Sequence, residues 1–380
     1  MHRQPAPATT GDRTYFRTRV LARGRHGRGS GEDAAMSRGL RSALVLTACG
    51  LLAAPGGAAA RGGPVSVTWG GDVTLGSSYG RPPRAGWPQL APIAGVLRAA
   101  DLAVVNYEGT FAPGGPSKCG GGRPQCFAFQ APARNARSLR RAGIDAVNLA
   151  NNHAHDFGER GYASTRRALR RAGVNPTGAP GEIRLMRRNG TSIALVGFSS
   201  YAWSAPLNVP SEVRRAAARA DVVIVLFHAG AEGADRTHVP RGHEHAFGED
   251  RGDVRAFARV AIRAGADVVL GSGPHVLRGL ELYRGRLVAY SLGNLTGWHN
   301  FATGGVLSLS ALLTLDLSPT GRFRRGEITS LRLDGTGVPH RDRGEAAARL
   351  IRRLSYTDFG GRLQFLRLGT AHQGDGRLAR

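Results

Sequence analysis

The stretch Val222-Val-Ile-Val-Leu-Phe227 is followed at once by His228. Six apolar residues in a row are typical of a β-strand buried on both faces, as in a parallel sheet covered by helices. The imidazole that follows lies at the carboxyl end of this strand, and ligands bind at that edge of open α/β sheets. The stretch therefore predicts an α/β fold and the edge that carries the site, although His228 could instead be a satisfied core histidine.

Similar apolar runs occur on both sides of residues 222–228 in the sequence. Short apolar runs alternate with helix-like segments, which predicts an α/β layered fold. The predicted strands are 65–69, 102–106, 146–150, 193–198, 222–227, 266–270 and 287–290, and the predicted helices are 133–142, 161–172, 211–219 (with Ser211 as N-cap) and 253–264. After Gly304 the alternating pattern of 306–317 predicts β-hairpins that close a sheet. Residues 61–360 contain no linker and no internal repeat, so we expect one domain, followed by a frayed tail at 361–380.

A polar side chain follows nearly every predicted strand. Taken singly, each could be a turn former or a helix cap, as His155 and Asp156 could be for the helix after them. Together they supply carboxylate, amide and imidazole groups at one sheet edge, a ligand set suited to Mn, Fe or Zn. The predicted metal ligands are Asp72, Glu108, Asn152, His228 and His275.

The charge of the chain is strongly positive, with 52 Lys and Arg against 27 Asp and Glu, a formal net charge of +25. Lys118 is the only lysine, and the arginines are scattered among acids in every segment. No recognition motif accompanies the charge, so we expect no nucleic-acid partner. Attraction to an anionic polymer or to lipid headgroups at a membrane surface remains open.

The N-terminal 60 residues are predicted to lie outside the folded domain. Residues 1–35 are rich in arginine and lack a periodic pattern, as expected of a disordered segment or a misassigned start. Residues 36–60 have the charged start, apolar run and small-residue cleavage site of a signal peptide, which predicts secretion. Acylation of Cys49, as in a lipoprotein, is the lesser alternative, and an uncleaved anchor is a third reading, although the apolar run is short for a membrane span.

Two cysteines, Cys119 and Cys126, would remain in the mature chain. They flank a glycine-rich stretch, and in an oxidising compartment a local disulfide is the natural interpretation. Half of a zinc site is the alternative, but no second cysteine pair or nearby histidine completes it.

Several ordered strings resemble the CapA family of poly-γ-glutamate capsule synthesis proteins, which is related to calcineurin-like metallophosphoesterases. The resemblance covers roughly residues 65–300. It rests on Gly-Gly-Asp-Val-Thr-Leu (70–75), Asn-Tyr-Glu (106–108), Asn-Leu-Ala-Asn-Asn-His-Ala-His-Asp-Phe-Gly (148–158), His-Ala-Gly-Ala-Glu-Gly (228–233), Gly-Ala-Asp-Val-Val-Leu-Gly-Ser-Gly-Pro-His-Val (265–276) and Tyr-Ser-Leu-Gly-Asn (290–294).

The resemblance implies a four-layer α/β/β/α sandwich with a metal centre at the strand ends. The five predicted ligands match the family positions, and His153 matches an imidazole beside the substrate that could act as an acid. Three neighbours of these positions are expected to bind substrate: Asn151, Glu232 and Asn294. Where the superfamily tends to place a further histidine, this chain has Ser272 and Gly273. We therefore expect one or two ions, with two-metal catalysis in doubt.

Two functions follow as hypotheses. The first is a secreted, metal-dependent hydrolase of phosphoester or peptide-like bonds in capsule or poly-γ-glutamate synthesis, with polymer synthase proteins as partners. Under this hydrolase hypothesis, Arg278 could contact an anionic substrate, although an exposed arginine is usually only solvated. The second is a non-catalytic envelope component that binds or exports an anionic polymer.

Overall fold

The computed structural model describes residues 62–77, 82–120, 126–201, 208–367 and 370–373. All of these residues belong to one compact unit. In chain order the elements are β1 (Val65–Thr74), α1 (Trp87–Leu90), α2 (Ala94–Ala99), β2 (Leu102–Tyr107), β3 (Thr110–Phe111), β4 (Gln130–Ala131), α3 (Ala136–Ala142), β5 (Ala146–Asn148), α4 (Gly158–Arg171), β6 (Asn175–Thr177), β7 (Arg184–Arg188), β8 (Thr191–Ser199), α5 (Val209–Ala217), β9 (Val222–His228), β10 (Glu244–Ala246), β11 (Glu249–Gly252), α6 (Val254–Ala264), β12 (Val268–Ser272), β13 (Leu280–Tyr283), β14 (Arg286–Ala289), β15 (Asn294–Gly297), β16 (Leu309–Leu317), β17 (Phe323–Leu333), β18 (Pro339–Arg341), α7 (Ala346–Phe359), β19 (Leu363–Arg367) and β20 (Thr370–Gln373).

The first large sheet is mixed. Its order is β19-β20-β17-β16-β1-β2-β5-β6, with β15 added beside β1 and β18 beside β17. Strands β1, β2, β5 and β6 run parallel. The antiparallel pair β16 and β17 lies against β1, as the alternating pattern after Gly304 predicts. A short 3-10 helix at Gly305–Ser308 delays the start of β16 to Leu309.

The second large sheet has the order β13-β14-β12-β9-β8-β7. Strands β8, β9, β12 and β14 are parallel, and β9 lies between β8 and β12. Every residue of β9 is buried, as the uninterrupted apolar run from Val222 predicts.

Three apolar clusters define four layers. Between the sheets, Trp69 and Val104 of the first sheet share a core with Ile224 and Leu270 of the second. On the outer face of the first sheet, α2, α3 and α4 cover one cluster. On the outer face of the second sheet, α5 and α6 cover another. The predicted α/β/β/α sandwich is therefore confirmed, and it places the carboxyl ends of β1, β2, β9 and β12 at one edge.

Helix α5 begins earlier than its sequence suggests. The predicted N-cap, Ser211, is wrong: Asn208 is the N-cap, and its side chain accepts a hydrogen bond from the backbone N–H of Ser211. Pro210 lies in the first turn, where a missing N–H costs no helical hydrogen bond. Helix α6 lies within the predicted range 253–264, and Asp253 is its N-cap, since its side chain accepts a hydrogen bond from the N–H of Ala256.

The C-terminal segment differs from the expected frayed tail at 361–380. Strands β19 and β20 form a hairpin whose second strand pairs with β17. Leu363 and Phe365 alternate along β19, and both side chains are buried. Backbone pairing with β17 and β19 thus holds β20 against the first sheet, and the alternating burial along β19 is that of a strand with one buried face.

The predicted disordered segment, the signal peptide and the acylated Cys49 all lie outside the described residues. Among the residues that are described, no helix combines the length and apolar character needed to cross a bilayer.

Candidate metal centre

Asp72 reaches the sheet edge through an irregular part of β1. The register between β1 and β2 shifts between Trp69 and Asp72. A Cβ atom on Gly71 would lie 1.8 Å from the carbonyl oxygen of Gly293, so only glycine permits this close approach. The backbone N–H of Asp72 donates to the same oxygen at 3.1 Å, which fixes the carboxylate at the edge.

Three predicted ligands meet at this edge. Asp72, Glu108 and His228 are all buried, and each offers one ligand atom within 4.8 Å of the other two. Nδ1 of His228 lies 3.6 Å from Oδ1 of Asp72, and Nε2 lies 3.4 Å from Oε1 of Glu108. Two carboxylates and an imidazole at this spacing can bind a divalent metal ion.

The polar atoms at this edge fit a cation. Neither carboxylate oxygen of Glu108 has a hydrogen-bond partner among the described residues, and the same is true of the buried Oδ1 of Asn152. A buried carboxylate without a partner is costly unless a metal or another charge compensates it. Asp72, Glu108 and His228 are therefore the residues that the structure brings together to hold a divalent ion, while the ligand roles of Asn152 and His275 stay predictions.

Burial and neighbouring charges shift the pKa values of Asp72, Glu108 and His228. Burial, followed by the charge of Asp72, raises the pKa of Glu108 well above its usual range. Burial opposes ionisation of Asp72 too, but hydrogen bonds and charge from His228 and His275 hold the pKa of Asp72 well below its usual range. Burial lowers the pKa of His228, which favours the neutral imidazole that metals bind.

His275 borders the cluster in an unusual backbone conformation. Its φ is 57°, a region that non-glycine residues seldom adopt and that often marks functional sites. Nδ1 lies 2.8 Å from Oδ1 of Asn294 and 3.2 Å from Oδ2 of Asp72. Burial alone would lower the pKa of His275, but the charges of Glu108 and Asp72 raise it to about 10.

Asn106 organises the centre, although the sequence pattern does not mark it as a site residue. Its Nδ2 donates to Oδ1 of Asp72 at 2.8 Å and lies 3.0 Å from Nδ1 of His228. Its Oδ1 accepts from the side chains of Asn148 and Asn151. This network orients the Asp72 carboxylate and leaves Nε2 of His228 facing Glu108.

His153 is supported by an acid three residues later. Nδ1 of His153 lies 2.9 Å from Oδ2 and 3.1 Å from Oδ1 of Asp156. A carboxylate only accepts hydrogen bonds, so Nδ1 carries the proton and Nε2 is the other exchangeable position. Burial lowers the pKa of His153, while Asp156 opposes that shift. Asp156 thus orients an imidazole, whereas the sequence suggested a simple helix cap.

Two residues predicted to bind substrate support the site from within. Asn151 is fully buried and bonds Asn106, the carbonyl of Tyr107 and the N–H of His153. Asn294 is buried, and its amide holds both the ring and the backbone carbonyl of His275. Their amides are already used internally, which argues against direct substrate contact.

Glu232, the third predicted substrate contact, lies at the rim of the centre. Its side chain is 24% exposed, and its Oε2 is 3.6 Å from Nε2 of His275. Its other oxygen is 3.1 Å from the buried guanidinium of Arg251. Glu232 therefore joins His275 to a buried arginine and remains accessible.

Ser272 and Gly273 fill the position where a further histidine was expected. Oγ of Ser272 donates to the carbonyl of Phe227 and lies 3.1 Å from Nδ1 of His228. The N–H of Gly273 points at Oδ2 of Asp72, 3.4 Å away. A hydroxyl and a backbone amide thus contact His228 and Asp72, two of the predicted ligands.

Arg278 does not face the site. It is fully buried, and its guanidinium forms a two-pronged ion pair with Glu244 at 2.9 and 2.6 Å. The same group also donates to the carbonyls of Arg236 and Ala231. The idea that Arg278 contacts an anionic substrate is wrong, because its guanidinium is already engaged by internal partners.

Cys119 and Cys126 are joined by a disulfide, with 5.5 Å between their Cα atoms. The arms of this loop continue to Lys118 on one side and Phe129 on the other, and both contact Asp156.

The sequence matches a known family over this whole region. The family described as "Bacterial capsule synthesis protein PGA_cap" covers residues 66–297, more than half of the chain. The chain belongs to this family. The matched region contains every residue of the PGA_cap centre described above, from Asp72 to Asn294.

Relatives of this PGA_cap chain carry names from capsule synthesis. It is 27% identical over 286 residues to the PGA biosynthesis protein CapA of Bacillus subtilis (strain 168), covering 68% of this chain and 69% of that protein. It is 28% identical over 197 residues to the capsule biosynthesis protein CapA of Bacillus anthracis, 45% of each chain. Among solved structures, a 5′-nucleotidase precursor from Thermus thermophilus aligns with 12% identity and a TM-score of 0.40, over 77% of this chain and 59% of its own. That last likeness is too distant to inform activity.

Proposed function

We propose that this protein is an extracytoplasmic, metal-dependent hydrolase that cleaves a phosphoester or peptide-like bond during synthesis of an anionic capsule polymer such as poly-γ-glutamate. The observation that carries the proposal is the pair of buried Glu108 oxygens without hydrogen-bond partners among the described residues, beside Asp72 and His228. Membership of the PGA_cap family supports the capsule context.

A bound divalent ion would make water acidic enough to supply hydroxide near neutral pH. Asp72, Glu108, Asn152 and His228 would hold that ion, and Asn106 would keep Asp72 and His228 in position through its amide. Asn294 would hold the ring of His275 beside Asp72. Burial of these groups excludes bulk water, which strengthens each electrostatic interaction at the centre.

His153 would move the proton at the leaving group. Its Nδ1–H is directed to Asp156, which stabilises the imidazolium and orients the ring. The imidazolium would donate from Nε2 to the departing oxygen or nitrogen as the bond breaks. Glu232, at the accessible rim, would contact the polar part of the substrate.

The test is turnover of a simple phosphodiester, such as bis(p-nitrophenyl) phosphate, and of a γ-glutamyl peptide by the full-length chain with added Mn²⁺ or Zn²⁺. We expect metal-dependent turnover of one of the two substrates, and its loss in Asn152→Ala. Metal binding without turnover of either substrate would refute the hydrolase proposal and favour the second function.

The second function is binding of an anionic polymer, and one surface favours it. A groove of about 300 Å³ between α3 and α4 is lined by four arginines: Arg134, Arg137, Arg167 and Arg171. All four are exposed, and none forms an ion pair with an acid in the part of the chain that the structure describes. Two of them lie near the start of α3, where cations disfavour the helix, so helix stability does not explain them.

Guanidinium groups form charge-assisted hydrogen bonds with carboxylates, so this groove would bind a polycarboxylate. Arg137→Gln with Arg167→Gln should weaken retention on immobilised poly-γ-glutamate and leave phosphodiester turnover unchanged. The double variant Arg214→Gln with Arg352→Gln, which removes the same charge from other helices, is the matched control. Equal retention by both double variants would refute this function for the groove.

A further inference from the structure

Asp156 joins three segments of the chain at one buried carboxylate. It is fully buried, and its Oδ2 lies 2.9 Å from Nδ1 of His153. Its Oδ1 is 2.6 Å from Nζ of Lys118, and its Oδ2 accepts from the N–H of Phe129 at 2.6 Å. The geometry of His153 therefore depends on two residues far from it in sequence.

Lys118 contacts both sides of the turn that carries His153. Its Nζ donates to the carbonyl of Asn152 at 3.0 Å, and its backbone N–H donates to the carbonyl of Asp156 at 2.8 Å. The side chain is 32% exposed, so it lies between solvent and the buried acid. It is also the only lysine among 52 basic residues.

The disulfide lies between the two arms that reach Asp156. Cys119 directly follows Lys118, and Cys126 precedes Phe129 by three residues. The ring of Phe129 is 4.5 Å from the ring of His153. The intervening sequence contains three consecutive glycines, which would leave the arms flexible without a cross-link. The Cys119–Cys126 bond limits the conformations in which Lys118 and Phe129 can separate.

We propose that Lys118 is a positioning residue that acts together with the Cys119–Cys126 disulfide to hold Asp156 and His153 in the geometry needed for proton transfer. This inference rests on the proposed hydrolase function for its effect on rate. Its structural part, the control of the His153 ring, can be measured without turnover.

The kinetic test compares three changes in the full-length chain: Lys118→Met, Lys118→Arg, and the pair Cys119→Ser with Cys126→Ser. We expect Lys118→Met to lower kcat about 10- to 100-fold, as loss of a supporting contact typically does, with KM and metal content changed less than about threefold. Lys118→Arg should recover most of the rate. Arg160→Met, at an exposed position on α4, is the matched control and should behave as the wild type.

The disulfide should act through the same contacts as Lys118. Reduction of the wild type, or the double serine variant, should lower kcat to a similar degree. Adding the serine changes to Lys118→Met should then cost little more, because residues that act as a unit are not additive. Independent, multiplicative losses would contradict a shared role.

The second readout is the ¹⁵N-histidine NMR signal of the Nδ1–H of His153, identified by its loss in His153→Gln. We expect a protected signal in the wild type that weakens or shifts in Lys118→Met and returns in Lys118→Arg. If the wild type binds metal but turns over no substrate, the hydrolase proposal fails and this signal alone decides the inference. An unchanged signal in Lys118→Met would overturn it, whatever the kinetics show.

Discussion

Nε2 of His228 lies 3.4 Å from Oε1 of Glu108, and both side chains are buried. The two groups come from neighbouring strand ends in different sheets, since Glu108 follows β2 and His228 ends β9. Their approach is therefore a product of the sheet-on-sheet packing, which brings two sets of carboxyl ends to one edge. A metal ion between them would compensate the buried carboxylate that the described residues leave without a hydrogen-bond partner.

Glu108→Gln should separate metal affinity from stability. We expect at least 100-fold weaker Mn²⁺ or Zn²⁺ binding by calorimetry, because the amide carries no charge. The metal-free variant should be at least as stable as the wild type, since it no longer buries an ionisable group. Glu159→Gln, whose side chain is 85% exposed, is the control and should leave both properties unchanged.

The stability difference between metal-free Glu108→Gln and the metal-free wild type should change with pH in a definite direction. The pKa of Glu108 is raised in the folded state, above its ordinary value of 4.5, chiefly by burial. A raised carboxyl pKa stabilises the fold at low pH, and that contribution is lost as the pH rises. Metal-free Glu108→Gln should therefore gain stability relative to the wild type as the pH rises above about 4.5 in urea titrations. A gain that appeared only on acidification would contradict this account.

Asn106→Ala should damage both the fold and the centre. The change removes the donor to Asp72 and the acceptor for Asn148 and Asn151. A buried polar group left without a partner costs about 1–3 kcal/mol, so the free energy of unfolding should fall by at least about 2 kcal/mol. Asn175→Ala removes one partly buried hydrogen bond and should cost less than about 1 kcal/mol. Equal losses would mean that Asn106 is not the organising residue.

Asp267 gives a pH prediction away from the metal centre. Burial raises its pKa to about 6, against the hydrogen bond from Val223 and the charge of Arg286. The folded pKa exceeds the ordinary value of 3.8, so Asp267 stabilises the fold below about pH 4 and less so as the pH rises through 6. The stability of Asp267→Asn relative to the wild type should rise by up to about 3 kcal/mol over that interval. A difference that stays flat with pH in urea unfolding would contradict the raised pKa.

Trp69 tests the interface between the two sheets. Its ring is fully buried, and its Nε1 donates to the carbonyl of Gly271 in the opposite sheet at 3.2 Å. Trp69→Phe loses that hydrogen bond and leaves a cavity, so we expect a loss of about 2 kcal/mol in unfolding experiments. Trp298→Phe, at a half-buried position, should cost less. A loss at Trp69 no larger than that at Trp298 would show that this contact does not hold the sheets together.

The layered fold and the edge that carries the site follow directly from sequence. Buried parallel strands have uninterrupted apolar runs, and the polar residue after each run marks the shared edge, as at Asp72, Glu108 and His228. Strand pairing brings Asp72 and Glu108 to one edge, and packing of the second sheet on the first adds His228. Local patterns therefore suffice to find these residues once the layered fold is expected. The four layers were implied by the resemblance to a family, and the order of the strands was not predicted, because pairing partners far apart in sequence leave no local signal.

The supporting residues could not be predicted in the same way. Asn106 and Asp156 look like ordinary strand-end and turn residues, and their roles appear only when distant partners are in place. Asn151 and Asn294 have the right residue type for substrate contact, yet internal hydrogen bonds occupy their amides. The internal ion pair of Arg278 could not be predicted either, since its partner Glu244 lies 34 residues away in sequence. Spacing suggests which groups share an edge, but not which of them face each other.

The most direct test of the metal centre is the metal content of the purified full-length protein, measured by inductively coupled plasma mass spectrometry after dialysis against trace Mn²⁺, Fe²⁺ and Zn²⁺. We predict one or two ions per chain in the wild type and in Glu159→Gln, and a loss of bound metal in Glu108→Gln. Wild-type protein that retains no divalent metal, or Glu108→Gln that retains as much as the wild type, would contradict the assignment of Asp72, Glu108 and His228 as a metal site.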